Sequence, residues 1–331
     1  MTSSRRLSLV AAGGALLLGL TACAAPEAAP VPAPTTSETV TSVEVTDNLG
    51  THTITLPLES VIATDNRTFE TLSDWGITLS AAAVALMPST IAYKTDASIV
   101  DLGNHIEPDL EAVVAADPDI IINGQRFARF HDDLAALVPD AVILELDPRD
   151  GEPFDAELRR QVTVLGEVFG KQAEAKKLVD DFDAAIARVK AAYTPGDTVM
   201  AVITSGGQIG YAAPSIGRTL GPLFDIFGFT PALEVSDSST DHQGDDISVE
   251  AIAASNPDWI LVMDRDAAVS SDDPSYTPGN EIIDASEALR GVTAVKNGAI
   301  VYMPADTYTN EGIQTYTEFF NALADALEGT R

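Results

Sequence analysis

From residue 43 the chain alternates short β-branched runs with amphipathic stretches. Val43-Glu44-Val45 has the period-two pattern of a half-buried strand, Asp47-Asn48-Leu49-Gly50 has turn chemistry, and the alternation resumes over 51–56, which predicts a hairpin. A buried strand over 61–64 runs into Asp65-Asn66-Arg67, and Phe69, Leu72 and Trp75 then keep helical spacing until Gly76. Further on, a helix is predicted over 108–116, a strand over 120–123, a helix over 131–137 and a strand over 141–146. Strands that alternate with helices imply a mainly parallel sheet.

Two long helical patterns follow. Leu158, Val162, Leu165, Val168 and Phe169 keep the spacing up to Gly170, a predicted break, and Leu178, Val179, Phe182, Ile186 and Val189 keep it up to Pro195. No Gly/Ser-rich linker flanks the second stretch, so it reads as a rigid connector. Beyond it come a buried strand over 198–204, a turn at Ser205-Gly206-Gly207, a helix ending at 225–228, a helix over 249–254, a strand over 259–263, a strand over 299–303 and a closing helix over 315–327.

One segment occurs twice. Asp109-Leu-Glu-Ala-Val-Val-Ala-Ala-Asp-Pro-Asp-Ile-Ile-Ile-Asn123 returns, 139 residues later, as Ser248-Val-Glu-Ala-Ile-Ala-Ala-Ser-Asn-Pro-Asp-Trp-Ile-Leu-Val262. Glu111 maps to Glu250, Pro118 to Pro257 and Asp119 to Asp258, and the register still holds at Arg126 and Arg265. A single repeat at this period predicts two similar lobes, whereas a solenoid needs several short repeats. A cleft between lobes is a usual ligand site.

The start of the chain changes the picture. Arg5-Arg6, an apolar run over 7–20 and Leu20-Thr21-Ala22-Cys23 resemble a bacterial lipoprotein signal. Cys23 is the only cysteine, so it has no disulfide to make and is the expected lipidation site. Residues 24–41 are rich in Ala, Pro, Thr and Ser and read as a tether. The folded part is therefore expected outside the cytoplasmic membrane, held to it through lipid alone. The 331 residues carry 19 Lys and Arg against 50 Asp and Glu, a net charge of −31, and loss of the leader would remove two arginines and no acid. Nucleic acid is an unsuitable partner for such a surface.

An anion site on this chain must be built from a few placed arginines. In parallel sheets ligands bind beyond the carboxyl ends of strands. Arg126 and Arg265 lie at matching places past the repeated strands, Arg218 follows the second lobe's first hairpin, and Arg67 follows the first lobe's second strand. A guanidinium keeps its proton and offers a planar fork to oxyanions. Arg67 and Arg129 fit ordinary surface ion pairs equally well. His52, His105 and His131 form no close-spaced ligand set and are read as structural or solvated. No Gly-x-Ser-x-Gly elbow or phosphate loop is present, and Ser205-Gly-Gly-Gln-Ile-Gly210 reads as a turn, so a secreted hydrolase is a distant alternative.

Five segments, in this order and spacing, carry a wider resemblance. They are Ile121-Ile-Asn-Gly-Gln-Arg126, Gly228-Phe-Thr-Pro-Ala232, Gly244-Asp-Asp-Ile-Ser-Val-Glu250 with Asn256-Pro-Asp, Val262-Met-Asp-Arg265, and Ile300-Val-Tyr302. Over residues 43–327 the chain resembles the ferric-siderophore substrate-binding lipoproteins of ABC importers, in particular those for catecholate siderophores. The resemblance implies an α/β fold of two similar Rossmann-like lobes with mainly parallel sheets, joined by one long rigid α-helix. Residues 1–22 would then be the signal peptide, 23–42 a flexible tether, 43–153 the first lobe, 154–194 the helical connector and 195–331 the second lobe. It implies a monomeric binding protein, not an enzyme, with no intrinsic cofactor. Its ligand would be an Fe(III)-siderophore complex, held by Arg126, Arg218 and Arg265 and delivered to a permease.

Gln125 is one residue more than the family's usual Gly-Arg, and Gln243 stands where some members have an iron-ligating histidine, with His242 one place earlier. Some members also supply a tyrosine after the last strand, and Tyr308 is the candidate here. Metal ligation stays open, with His242 and Tyr308 as candidates. The resemblance assigns Glu111 and Glu250 to permease docking, one per lobe, although a carboxylate early in a helix also suits the helix dipole. A haem- or cobalamin-binding protein of the same bilobal class remains the alternative.

Overall fold

The computed structural model describes residues 41–329, so the predicted signal peptide and Cys23 lie outside the described residues. The first element is the expected hairpin, β1 (Ser42–Thr46) with β2 (Thr51–Thr55), which buries Val45 and Ile54 on its inner face. It starts at Ser42, the residue given to the end of the tether. Asp47 ties the turn by accepting from the amides of Leu49 and Gly50 at 2.7 and 2.9 Å.

The first lobe continues through β3 (Val61–Ala63), α1 (Phe69–Asp74), β4 (Ala81–Ala82), β5 (Val100–Asp101), α2 (Leu110–Ala116), β6 (Ile120–Asn123), α3 (His131–Leu137) and β7 (Val142–Glu145). The strand order is β5-β4-β3-β6-β7, parallel throughout. Period-two geometry sorts the strand residues between two apolar layers. Ile62, Ile121 and Ile143 face α2 and α3, while Val61, Ile120, Ile122 and Leu144 face the larger core.

The connecting segment is a pair of helices, α4 (Phe154–Val168) and α5 (Gln172–Ala192), with the chain reversing at Gly170, whose φ is +65°. A Cβ at Gly166 would stand 2.6 Å from that of Ala175, so only glycine lets the pair pack this closely. Through α4, Arg160 donates to Asn48 and Gln161 to Asp65 in the first lobe, at 2.8 and 3.0 Å.

The second lobe comprises β8 (Thr198–Ser205), β9 (Gln208–Tyr211), α6 (Pro222–Phe227), β10 (Thr230–Pro231), α7 (Val249–Ser255), β11 (Trp259–Asp264), α8 (Arg265–Val269), α9 (Gly279–Ala285), α10 (Thr293–Asn297), β12 (Ile300–Tyr302) and α11 (Ile313–Gly329). Its sheet runs β10-β8-β11-β12 in parallel, with β9 antiparallel on β8 across the Gly206-Gly207 turn. Helix α5 lies along α11, where Phe182 stacks on Phe320 at 5.5 Å and Arg188 reaches Asn321, Asp325 and Glu328. One helix is thus rooted in each lobe, and the main apolar core runs unbroken from lobe to lobe through the pair.

The repeated segment is repeated in three dimensions. Asp109 caps α2 by accepting from the Ala112 amide at 2.9 Å, and Ser248 caps α7 through Ala251 at 3.2 Å. Both helices end on a left-handed residue, Asp117 and Asn256, each at φ 45°, types whose short polar side chains tolerate that conformation. Pro118 and Pro257 then prevent continuation. Asp119 accepts from the Ser60 amide at 2.8 Å and Asp258 from the Thr198 amide at 2.8 Å, which fixes each repeated strand to the first parallel strand of its lobe.

Candidate functional site

The lobes enclose a cavity of about 730 Å³. Arg126, His105, Lys94 and 85–89 line it from the first lobe; Arg265, 268–273 and Tyr308 line it from the second. The parallel topology accounts for the arginines, since Arg126 and Arg265 both follow the carboxyl ends of repeated strands. Gly124 is obligatory at the first exit, because a Cβ there would come within 2.7 Å of the Asp65 carboxylate. The additional residue, Gln125, takes φ +50° and is held by two acids, its amide donating to Asp147 at 2.7 Å and its side chain to Glu311 at 3.0 Å.

Arg218 comes from the coil between β9 and α6. Ser215 and Thr219 have positive φ there, and a Cβ on Gly217 would meet the Ala213 amide nitrogen at 2.4 Å. This tight winding fixes the arginine's starting point, and Glu311 holds its end at 2.9 Å. Arg126, Arg218 and Arg265 all reach the Tyr308 ring, their guanidinium carbons 5.1, 4.7 and 4.8 Å from its centroid. Burial raises the Tyr308 phenol pKa, but contact with Arg126, then the charge of Arg218, then Arg265 outweigh it and leave the phenol below its ordinary value.

The counter-ions differ among the three. Arg265 has Asp266 at 2.9 Å and Arg218 has Glu311, whereas Arg126 has no carboxylate partner and donates to the neutral side-chain oxygens of Asn66 and Gln125, both at 3.2 Å, and to the Tyr308 hydroxyl. Arg126 Nη2 and Arg265 Nε are buried and have no acceptor among the described residues. The cavity wall therefore carries fixed positive charge with donors to spare, an arrangement that suits an anion.

Arg67 stands apart from this wall. It pairs with Asp147 at 3.0 Å and approaches Glu311 at 3.9 Å, the ion-pair role open to it from sequence. Arg129 donates to the His105 carbonyl and covers the Phe130 ring. His131 and His52 pair with Glu145 and Asp47 at 2.9 and 3.0 Å. His105, read as structural or solvated, lies on the cavity wall, where burial and then the charges of Arg126 and Arg129 lower its pKa. His242 is half exposed, with its ring 6.5 Å from that of Tyr308. Among the described residues no three His, Cys, Asp or Glu side chains are grouped closely enough to hold a metal ion. Lys94 had no motif to mark it; it donates to the Val84 carbonyl at 2.9 Å and fixes the 84–96 segment that closes one side.

Beneath the site, Asp65 is wholly buried and accepts from the Arg67 amide and from Gln161, at 2.9 and 3.0 Å. Burial, and then the nearby Asp147 charge, push its carboxyl up from 3.8 to about 7. An acid whose folded pKa is raised favours the folded state below its unfolded value and loses that contribution as pH rises from 3.8 through about 7. Asp65→Asn should therefore melt several degrees above wild type at pH 8, with the gain fading towards pH 4. Scanning fluorimetry across that range checks this, and a gain independent of pH would refute it.

Glu111 and Glu250 are both exposed, in the first turns of α2 and α7. Among the described residues no helix is long and apolar enough to cross a membrane.

Comparison with known proteins agrees with this architecture. The chain is 25% identical over 299 residues to the petrobactin-binding protein YclQ of Bacillus subtilis, covering 89% of this chain and 90% of that protein. It is 28% identical over 274 residues to the ferric-anguibactin-binding protein FatB of Vibrio anguillarum, covering 81% of each. The periplasmic catecholate-siderophore binding protein VctP of Vibrio cholerae superposes with a TM-score of 0.74 at 24% identity, over 86% of this chain and 99% of that one. The periplasmic binding protein family matches residues 61–307, and the chain belongs to that family.

Proposed function

We propose that the protein captures an anionic ferric siderophore of the catecholate type outside the cytoplasmic membrane and delivers it to an ABC permease for iron uptake. The observation that carries this reading is the convergence of three guanidinium groups, drawn from both lobes, on the Tyr308 ring at the cavity wall, in a chain whose net charge is −31. A multiply charged ferric catecholate gains from each of them, whereas a ligand of little net charge would leave Arg126 without a carboxylate partner. The names of the two relatives, one for petrobactin and one for ferric anguibactin, support the same ligand class. The protein's part is to bind, and iron arrives as cargo inside the chelate.

In this reading Cys23 carries the lipid that holds the protein to the membrane, 23–41 is the leash, and Glu111 and Glu250 meet the permease. Titration of the two buried tryptophans, Trp75 and Trp259, checks the ligand class. Ferric catecholate should quench their fluorescence at submicromolar concentration, well before ferric hydroxamate or haem. Tighter binding of haem or hydroxamate would overturn the assignment.

A further inference from the structure

We infer that a second cavity at the lobe junction, walled by carboxylates, binds an aliphatic polyammonium group. It holds about 530 Å³ and is lined by Glu70 and Asp74 from α1, Asp306 from the turn after β12 and Glu318 from α11. The first two acids belong to one lobe and the last two to the other. No lysine, arginine or histidine lines it, and none of the four carboxylates forms an ion pair among the described residues. Their partners are neutral: Asp306 accepts from the Thr90 hydroxyl at 2.6 Å, Asp74 from Gln314 at 3.3 Å and Glu70 from Asn310 at 2.8 Å. Burial raises the Glu70 carboxyl above its ordinary pKa; the Asn310 amide offsets part of this, and the charges of Asp74, Asp306 and Glu318 add to it. Like charges held together oppose one another's ionisation, and a bound cation relieves that repulsion.

Asn310 gives an independent sign of a ligand. It is 3% exposed, lines the same cavity and directs its side chain at two of these acids, its amide nitrogen donating to Glu70 and, at 3.4 Å, to Asp306. The oxygen of that side chain is buried and accepts from nothing among the described residues. An ammonium N–H drawn in by the acids is the donor it lacks. The acids do not converge on a point, and among the described residues no three are grouped closely enough for one metal ion. Amines strung along an aliphatic chain carry their charges several bonds apart, which suits separated acids, and each N–H to a carboxylate is a charge-assisted bond. Pro88, Ile91, Ala268 and Pro304 offer apolar surface to the methylene groups. Pro88, Ser89, Ala268 and Ser271 also line the arginine cavity, so the two spaces adjoin. A chelate held by the arginines can therefore extend an amine chain here, or a free polyamine can enter alone. The first source rests on the ligand class proposed above and the second does not.

Spermidine is the probe for the site itself. Calorimetric titration of the ligand-free protein at about 0.15 M salt, where exposed charges are largely screened, should show saturable one-to-one binding. Glu70→Gln with Asp306→Asn should weaken it at least about tenfold. Glu318→Gln, at an exposed position where folding is not at stake, should weaken it about threefold. Asp132→Asn with Asp133→Asn makes the same charge change at exposed positions on α3 and should leave binding within about twofold of wild type. An equal loss in that control pair would reduce the effect to general charge and overturn the inference, as would equal competition by magnesium, a compact ion. Ferric catecholates linked through a secondary amine or through an ether separate the sources. Tighter binding of the amine-linked complex, lost in the Glu70→Gln, Asp306→Asn protein, places the ammonium on the chelate, whereas equal affinities beside saturable spermidine binding make the ligand a free polyamine. Equal affinities without saturable spermidine binding would overturn the inference. If no ferric catecholate binds wild type, the proposed ligand class fails, and the spermidine titration still decides this site.

Discussion

Arg126→Ala will weaken ferric-catecholate binding at least tenfold, about 1.4 kcal/mol, and Arg265→Ala will do the same. A charge-assisted hydrogen bond to an anion contributes about 1.5–3 kcal/mol, so the loss of one such donor suffices. Arg126 gives the cleaner measurement. Its protein partners are two neutral side-chain oxygens and the Tyr308 hydroxyl, so its removal leaves no buried carboxylate behind. Arg265→Ala strips Asp266 of its partner and adds a negative charge to the wall, which should make it the more damaging of the two. Arg218→Ala is a poor test, because Glu311 is 3% exposed and would be left with the more distant Arg67, a change that disturbs folding as well as binding. Arg126→Lys should recover only part of the loss, since an ammonium restores the charge without the planar fork. Quenching titrations that match wild type in both alanine variants would end the anion-site reading.

Charge reversal at Glu111 and Glu250 together will abolish iron uptake by cells and leave ligand affinity unchanged. The two glutamates occupy the same turn of the same repeated helix, and both are exposed. Two equivalent acids on two similar lobes suit a partner with two equivalent basic sites, the arrangement expected of a two-fold symmetric assembly. Each single reversal should reduce uptake and the pair should eliminate it. Transport of radioactive iron as its catecholate, measured beside titration of the purified variants, separates delivery from capture. Weakened ligand binding in the double variant would show that the glutamates serve the cleft instead.

The features legible in the sequence were those with a local cause. The two repeated helices and the buried strands after them are written into contiguous residues, so the repeat announced both lobes. The break at Gly170 was equally visible, and it separates α4 from the long helix α5 as the apolar spacing implied. The two-residue strands β4, β5 and β10 have no room to show a period, and the 84–96 segment, which lacks a regular apolar spacing, hid the part of the wall that carries Lys94. Glu311 went unnoticed because a buried acid is justified only by Arg67, Arg218, Gln125 and Thr219, which arrive from distant parts of the chain. For the same reason Arg126, Arg218 and Arg265 could be marked one at a time, while the ring that unites them could not.

The hairpin at the start of the folded chain sets how a mechanical load enters the protein. Ser42 pairs with Thr55, beside the point where β2 leads on into the first lobe, so tension applied ahead of Ser42 acts at the open end of the hairpin. Such a pull peels the ladder one pair at a time instead of shearing all its bonds at once. The peel must then extract Val45 from the core and reach Asp47 and Asn48, where Asp47 accepts from the Glu145 amide at 2.9 Å and Asn48 donates to the Asp147 carbonyl at 2.9 Å. These contacts make the end of β7 a strain relief. A tug on the chain is absorbed there, at the rim of one lobe, before it can tilt the arginines against each other.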